Sequence, residues 1–421
     1  MNREPGRRPR IFYGWWVLTA ATASQALYAA LYFMGFGAFF LPVAGELGVS
    51  RTALSGVFSL ARVQTGILGP FEGWLVDRVG PRSIMLVGIA MLGTGFMLLS
   101  LTNNLIMFYV VFIPLMAVGA SFGFGPPVAA AVANWFSRRR SLAFGIYLSG
   151  TGVGSLLVPS IALLIHSFGW RGASIALAFV SWGCGVPIAL TMRHRPEKYG
   201  MLPDGDTAAS VAEPRKKPRK PPPDDFTLGE AVRTRAFWIM GVSFSMRAIV
   251  FSAIGVHFIP AVQDKGFSAT QAGSFVALVG VTSIAGRLAG GWLGDRLDNR
   301  YMVSVFFMAY SVAAIIFANA GSAWMIVLYA AIFGPADGGM ITNSLTMRSD
   351  YFGRKAFATI GGAMSMIQTV GIVIGPLMAG FIFDVSGSYR LAFYIFSVMT
   401  LIGGALILLV RKPSLPAKKA A

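Results

Sequence analysis

The sequence predicts an all-α integral membrane protein in which twelve transmembrane helices form two six-helix halves. Its 421 residues are 55% hydrophobic and only 12% charged, with a mean hydropathy of +0.65. A soluble globular chain is about 45–50% apolar and about 25% charged, so this chain has too few charges to cover a water-exposed surface. Two further observations support the prediction: a series of long apolar segments, and a motif repeated on either side of one polar linker. Together they disfavour soluble enzymes and nucleic-acid-binding proteins.

Charge clusters and Gly, Pro and Asn residues divide the chain into apolar segments of bilayer-spanning length, which is about 20 residues. The stretch after the basic start is too long for a signal-peptide core and lacks a small-residue cleavage site, so we interpret it as the first span. Spans of more than about 25 residues are expected to tilt or to project beyond the lipid. The predicted spans are residues 13–41, 50–76, 83–101, 104–134, 141–166, 170–192, 236–263, 268–294, 301–319, 322–349, 356–383 and 388–410.

The distribution of Lys and Arg predicts the orientation. With the N-terminus inside, 28 of the 35 basic residues lie in segments on the cytoplasmic side, four lie on the other side and three lie within spans. The positive-inside rule then places both termini in the cytoplasm, and we expect the inner (plasma) membrane of a bacterial cell. The net charge of +18 therefore reflects topology and attraction to the lipid bilayer, and it does not indicate a nucleic-acid partner.

Residues 193–235 form the one long polar segment of the chain. They include the run PRKKPRKPPPDD at 214–225, which is too rich in proline and like charge to build a core. We therefore predict an N-terminal six-helix half over 1–192, a basic cytoplasmic linker over 193–235, and a C-terminal six-helix half with a short cytoplasmic tail over 236–421.

The two halves share a motif. Residues 73–82 read GWLVDRVGPR after span 2, and residues 291–300 read GWLGDRLDNR after span 8, which is 218 positions later. A duplication of six spans with a cytoplasmic linker is typical of transporters that rock one half against the other around a site at the bilayer midplane.

The first copy matches in full the loop G-x-x-x-D-R-x-G-x-R, and in this the sequence resembles the major facilitator superfamily. The resemblance implies a breakable latch that holds the outward-open state. The residues concerned are Gly73, Asp77, Arg78, Arg82, Asp295 and Arg296. The alternative is that these charges only anchor helix ends at the membrane interface. The motif carries no information on the substrate.

Four ionisable residues lie deep within predicted spans: Arg62, Arg247, Arg287 and Asp337. Each costs about 2.5–3.5 kcal/mol on insertion scales, which favours a functional role. Helix rise places the last three about 12–20 Å from the cytoplasmic end and Arg62 about 22 Å from it. The excess of guanidinium groups suits an anion, because arginine matches a carboxylate bidentately. Arg62 has the alternative of snorkelling outward or bracing helices, and Asp337 either carries a proton or neutralises Arg247.

The remaining acidic groups of the spans, Glu72, Asp350 and Asp384, lie near span ends. We expect these three carboxylates to be interfacial.

Other segments resemble the monocarboxylate porter group and its oxalate/formate-exchanger relatives. Residues 13–16 read YGWW at the start of span 1, and residues 135–145 read WFSRRRSLAFG at the start of span 5, with SGTGVG at 149–154. Arg287 lies where the carboxylate-binding arginine of that group would lie. The resemblance implies transport of a small organic anion whose carboxylate binds Arg287, with Arg247 as a second positive charge.

The chain departs from that group at its charged positions. Many monocarboxylate porters have an aspartate where this chain has Ser283, and a lysine in span 1 where residues 13–41 carry no charge. Oxalate/formate exchangers carry a lysine in span 11, which has only Gln368 here. Asp337 and His257 remain as candidates for proton coupling, although a lone histidine in a span is more often a hydrogen-bonded structural residue.

Tyrosine hydroxyls are further candidates for substrate binding. Tyr28 and Tyr32 lie four residues apart in span 1 and share a helix face, and Tyr147 lies in span 5. The alternative for all three is aromatic packing.

We therefore expect a proton-coupled secondary transporter of small organic anions that works by alternating access. An anion exchanger of the oxalate/formate type is the alternative, in which a counter-anion replaces the proton. A drug/proton antiporter is disfavoured, because the deep charge is positive and span 5 lacks a Gly-Pro motif. We expect no enzyme activity and no cofactor, because the sequence shows no clustered His or acidic ligand set. It also shows no ATP-binding loop, so we expect a gradient to supply the energy for transport. A single cysteine and three scattered histidines also give no reason to expect a metal site.

Overall fold

A computed structural model describes residues 12–136, 140–205, 226–294, 296–353 and 356–413. Within these ranges, ten stretches are long and apolar enough to cross a membrane. One of them, Leu142–Thr191, contains two helices, because Gly169 leaves the helical conformation with φ 68°. The 29-residue helix Arg51–Val79 completes the twelve predicted helices.

The helices are α1 Gly14–Leu47, α2 Arg51–Val79, α3 Pro81–Leu99, α4 Leu105–Trp135, α5 Arg140–Ser155 continued by 158–168, α6 170–191, α7 Arg235–Gln263, α8 Ala269–Gly294, α9 Asn299–Ala318, α10 Ala323–Phe352, α11 Phe357–Ser386 and α12 Arg390–Leu409. They alternate in direction. We call the end of the bundle that holds the beginnings of α1 and α7 the terminal end, and the other end the opposite end.

Polar side chains cap the N-terminal ends of several helices. Ser50 caps α2 by accepting from the backbone N–H of Ala53, and Thr234 caps α7 by accepting from that of Phe237. Helix α1 runs six residues beyond the predicted boundary at 41. It is irregular, with a π-helical turn at Tyr28–Phe33 and a 3₁₀ turn at Gly35–Phe39 before Phe40–Leu47 resumes the α-helix.

Within the first half, α1 packs on α5 and α3 packs on α4 and α6, whereas in the second half α7 packs on α11, α8 on α10 and α9 on α12. The halves meet along α2 with α11 and along α5 with α8. The predicted fold class, twelve transmembrane helices in two six-helix halves, is confirmed.

The contact between α8 and α10 depends on glycines. A Cβ added at Gly338 would lie 1.9 Å from the Ser283 carbonyl oxygen, and one added at Gly286 would lie 2.2 Å from the Pro335 carbonyl oxygen. No side chain fits at either position, so the two helix backbones approach closely. This approach brings Asp337 of α10 beside the Arg287 region of α8.

Candidate functional site

A cavity of about 260 Å³ lies between the two halves. It is lined by residues of α1, α5, α7, α8 and α10, and most of the lining is aliphatic or aromatic. Its polar lining residues include Gln25, Tyr28, Thr151, Ser283, Arg287 and Asp337. A largely apolar cavity with a few converging polar groups is the usual form of a small-molecule site. We call it the central cavity.

Arg287 is the guanidinium group of the central cavity. Its Nη1 donates to the Leu148 carbonyl oxygen of α5 at 2.5 Å, so it reaches across from the second half to the first. Its Nε has no hydrogen-bond partner, and it makes no ion pair with any carboxylate in the described ranges. The guanidinium group therefore has no carboxylate partner in the described chain, and a carboxylate is the ligand that suits it.

Asp337 pairs with Arg247. Arg247 Nη2 donates to Asp337 Oδ1 at 2.7 Å, and the Tyr310 hydroxyl donates to the same oxygen at 2.5 Å. The side chains of Arg247 and Asp337 are 14% and 9% exposed, so the pair is largely buried. Asp337 lines the central cavity, whereas Arg247 is not among the described residues that line it. Geometry is thus compatible with both roles predicted for Asp337.

The three candidate tyrosines separate in the structure. Tyr28 lines the central cavity, and Tyr32 lines a second cavity of about 70 Å³ together with Arg62. Tyr147 is buried and packs edge-on against Phe144, with ring centroids 6.1 Å apart, and it is not among the described lining residues of either cavity. Substrate binding by these tyrosines remains a prediction.

His257 lies in a polar network near the opposite end and does not line the central cavity. Its Nε2 lies 2.9 Å from the Pro376 carbonyl oxygen, which can only accept, so Nε2 carries a hydrogen. Its Nδ1 then accepts from the Tyr389 hydroxyl at 2.8 Å. Both ring nitrogens have partners, and Ser55 Oγ lies 2.9 Å from Nε2. This arrangement is the one expected of a neutral structural histidine. Proton coupling through His257 remains a prediction.

An ion pair joins the halves beside this network. Arg51 at the start of α2 donates to Asp264 at the end of α7 through Nη1 and Nη2, at 2.5 and 2.9 Å. Asp384 of α11 accepts from the backbone N–H groups of Arg51 and Thr52 at 3.2 and 2.9 Å. The opposite end of the bundle is therefore held closed by contacts between the halves.

The latch motif is described in part. Asp295 and the side chain of Asp77 lie outside the described part of the chain, and only the backbone of Gly73 is described. Arg78 lies over the Trp74 ring at 5.5 Å and Arg296 over the Trp292 ring at 3.7 Å, which are equivalent positions of the repeat. Arg82 is exposed. A latch role for these residues remains a prediction.

Sequence analysis missed a buried carboxylate. Glu72, expected at the interface, is instead 1% exposed and accepts from Ser121 Oγ of α4 at 2.6 Å, while its Oε1 has no hydrogen-bond partner. The expectation was wrong because α2 continues to Val79, which leaves Glu72 two turns inside the helix and facing α4. An acidic residue seven positions before a helix end was the available signal.

Comparison with known proteins agrees with this architecture. The chain is 26% identical to monocarboxylate transporter 12 of Mus musculus over 428 residues, covering 95% of this chain and 85% of that protein. It is 27% identical to monocarboxylate transporter 11 of Homo sapiens over 425 residues, covering 97% of this chain and 83% of that protein.

Solved structures show the same fold. An inward-facing, unoccupied bacterial homolog of the human lysosomal transporter Spinster superposes with a TM-score of 0.71 at 18% identity, covering 96% of this chain and 97% of that chain. Its occupied form superposes with a TM-score of 0.73 at 16% identity and the same coverage. The family model described as Major Facilitator Superfamily matches residues 21–334 and 258–421. With that match and this fold, the chain belongs to the Major Facilitator Superfamily of membrane transporters.

Proposed function

We propose that this protein is a secondary transporter of organic monocarboxylates and that Arg287 binds the carboxylate group in the central cavity. The observation that carries the proposal is the contrast between two arginines. Arg247 is paired with Asp337, whereas Arg287 lines the cavity with no ion pair among the described residues. A guanidinium group without an ion pair in a largely apolar cavity attracts an anion and discriminates against a cation.

The names of the relatives support the same substrate class. Both are monocarboxylate transporters, and their similarity covers most of this chain. The substitution of Ser283 for the aspartate common in that group leaves the region around Arg287 more positive. Asp337, which comes from α10, supplies the carboxylate of the cavity instead.

Asp337 also offers a route for proton coupling. Without a proton, its carboxylate competes with a substrate carboxylate for the positive charge of Arg247 and Arg287. Protonation removes that competition, so an anion and a proton stabilise each other's binding. Symport of one proton with one monocarboxylate follows, and the transported species is then electrically neutral.

The lining favours a substrate with an apolar body. Phe251, Phe258 and Phe333 line the central cavity, and few of the other lining residues are polar. A dianion such as oxalate would leave its second carboxylate facing these rings, at a high desolvation cost. We therefore propose that the larger monocarboxylates bind better than formate or oxalate.

The test is uptake into proteoliposomes of labelled formate, acetate, lactate, pyruvate, oxalate and phenylpyruvate, with and without an inward proton gradient. We expect gradient-stimulated uptake of one or more monocarboxylates, and its loss in Arg287→Gln. Arg411→Gln is the matched control, since Arg411 is exposed beyond the end of α12. Unchanged uptake in Arg287→Gln would refute the site.

The exchanger alternative is distinguished in the same vesicles. An exchanger needs a counter-anion inside and does not respond to the proton gradient. Uptake that requires internal oxalate or formate and is independent of pH would show that the protein exchanges anions and is not a proton symporter.

A further inference from the structure

The second cavity lies beside the central cavity. Phe33, Phe251 and Gly255 line both cavities, so the two are neighbours separated by these residues. The Phe33 and Phe251 rings, one from each half, stack with centroids 5.7 Å apart. A volume of about 70 Å³ has room for several waters or for one carboxylate group with a few more atoms.

Arg62 of α2 lines this second cavity. It lies over the Phe33 ring at 5.1 Å, and its polar neighbours are the hydroxyl groups of Tyr28 and Tyr32. It makes no ion pair with a carboxylate of the described chain. Phenol hydroxyls are neutral at physiological pH, so the positive charge of Arg62 is not compensated by them.

Arg62 and Arg247 each lie over one ring of the stacked pair Phe33 and Phe251. Arg247 lies over the Phe251 ring at 5.2 Å, but Asp337 neutralises it. A guanidinium group that only braces helices would be expected to find such a partner, because an unpaired buried charge is costly. Arg62 instead faces an open volume, which is where a mobile anion would compensate it.

We propose that Arg62 forms a second carboxylate subsite, one that the transported anion occupies between the opposite end and Arg287. This proposal rests on the proposed function, since it assigns a second position to the same class of substrate. Tyr32 lines the same cavity, and its hydroxyl completes the subsite as a neutral donor to a carboxylate oxygen. The stacked Phe33 and Phe251 rings form the partition that the substrate passes.

The position along the helix supports this order of events. Arg62 lies eleven residues from Arg51, or about 16 Å along α2. Arg51 makes the ion pair that closes the opposite end, whereas Arg287 lies eighteen residues, or about 27 Å, from the start of α8 at that same end, so Arg62 lies at a depth between the closure and Arg287. An anion entering from the opposite end meets Arg62 before it meets Arg287.

The test compares Arg62→Gln, Arg62→Lys and Arg287→Gln with wild type, using pyruvate as the probe. Uptake into proteoliposomes is measured together with the rise in Tm that pyruvate produces in purified protein. We expect Arg62→Gln to raise the KM for pyruvate about tenfold, with little change in maximal rate, because one charge-assisted contact is lost. Arg62→Lys keeps the charge and should restore most of the affinity.

The two proposals fail in different ways. Both proposals are supported by two results together. Arg287→Gln abolishes uptake but still shows a rise in Tm with pyruvate, and the double variant Arg287→Gln with Arg62→Gln shows no such rise. The subsite is overturned, with the proposed function intact, if Arg287→Gln removes both uptake and the rise while Arg62→Gln keeps a wild-type KM. The assignment of the carboxylate to Arg287 fails, and the Arg62 site stands, if Arg62→Gln alone abolishes pyruvate binding and Arg287→Gln has no effect on uptake.

A structural brace would behave differently from a subsite. Arg62→Gln would then lower the Tm of the protein without pyruvate and leave the KM unchanged, and that result would overturn the proposal. For a subsite we expect the Tm without pyruvate to be unchanged or higher, because an uncompensated charge has been removed.

Discussion

The substitution Asp337→Asn separates the stabilising role of Asp337 from its proposed role in proton coupling. Asparagine has nearly the same shape as aspartate but no charge, so it leaves Arg247 without its partner. The Arg247 Nη2 to Asp337 Oδ1 distance is 2.7 Å, and both side chains are largely buried. For charges about 4 Å apart at an effective dielectric constant of about 20, the lost attraction is about 4 kcal/mol. Removal of one partner from a buried pair costs about 3–5 kcal/mol, in agreement with that figure.

The assay for stability is thermal unfolding of purified Asp337→Asn, Arg247→Gln and the double variant. We expect each single variant to unfold at a lower temperature than wild type. The double variant should recover most of the loss, because neither charge remains buried alone. A double variant that unfolds below both single variants would refute the view that an unpaired charge causes the loss.

The assay for coupling is monocarboxylate uptake at several values of pH. Asparagine imitates protonated aspartate, so the substrate should still bind and exchange across the membrane. Stimulation by an inward proton gradient should disappear, since no proton binds at position 337. Gradient-stimulated uptake at the wild-type level in Asp337→Asn would exclude Asp337 as the coupling residue.

Three further predictions concern packing and closure. Gly338→Ala places a Cβ 1.9 Å from the Ser283 carbonyl oxygen, so we expect a loss of about 1–3 kcal/mol, seen as a lower Tm, and reduced uptake. Gly183→Ala is the matched control, because its Cβ meets nothing within 4 Å; an equal loss there would contradict the packing argument. Gly255 lines both cavities, and a Cβ added there meets nothing within 4 Å. We therefore expect Gly255→Val to slow uptake at an unchanged Tm, because its methyl groups narrow the space between the two cavities. Uptake at the wild-type rate would contradict the passage of substrate from one cavity to the other. Arg51→Gln breaks the ion pair between the halves, and longer distances between spin labels on the two halves at the opposite end are expected; unchanged distances would show that the pair does not hold that end closed.

The sequence alone was sufficient for the transmembrane helices, and it singled out Arg287 as a candidate. Crossing a bilayer requires a certain length of apolar chain, and this property is local, so most predicted spans end within a few residues of the observed helices. Arg287 could be found because an ionisable residue in the middle of a span is costly wherever its side chain points. The repeated motif likewise predicted two six-helix halves before any contact between helices was known.

Only the tertiary structure decided which charged groups meet. Arg247 and Asp337 are 90 residues apart, and their pairing depends on how α7 and α10 are rotated and how deeply they lie. Tyr28 and Tyr32 share a face of a regular helix, but a π-helical turn and two neighbouring cavities separate their surroundings. The length and hydropathy of a span do not determine its rotation about its own axis. That rotation is set by close contacts between helices, such as that of Gly338 with Ser283, which exist only once both helices are in place.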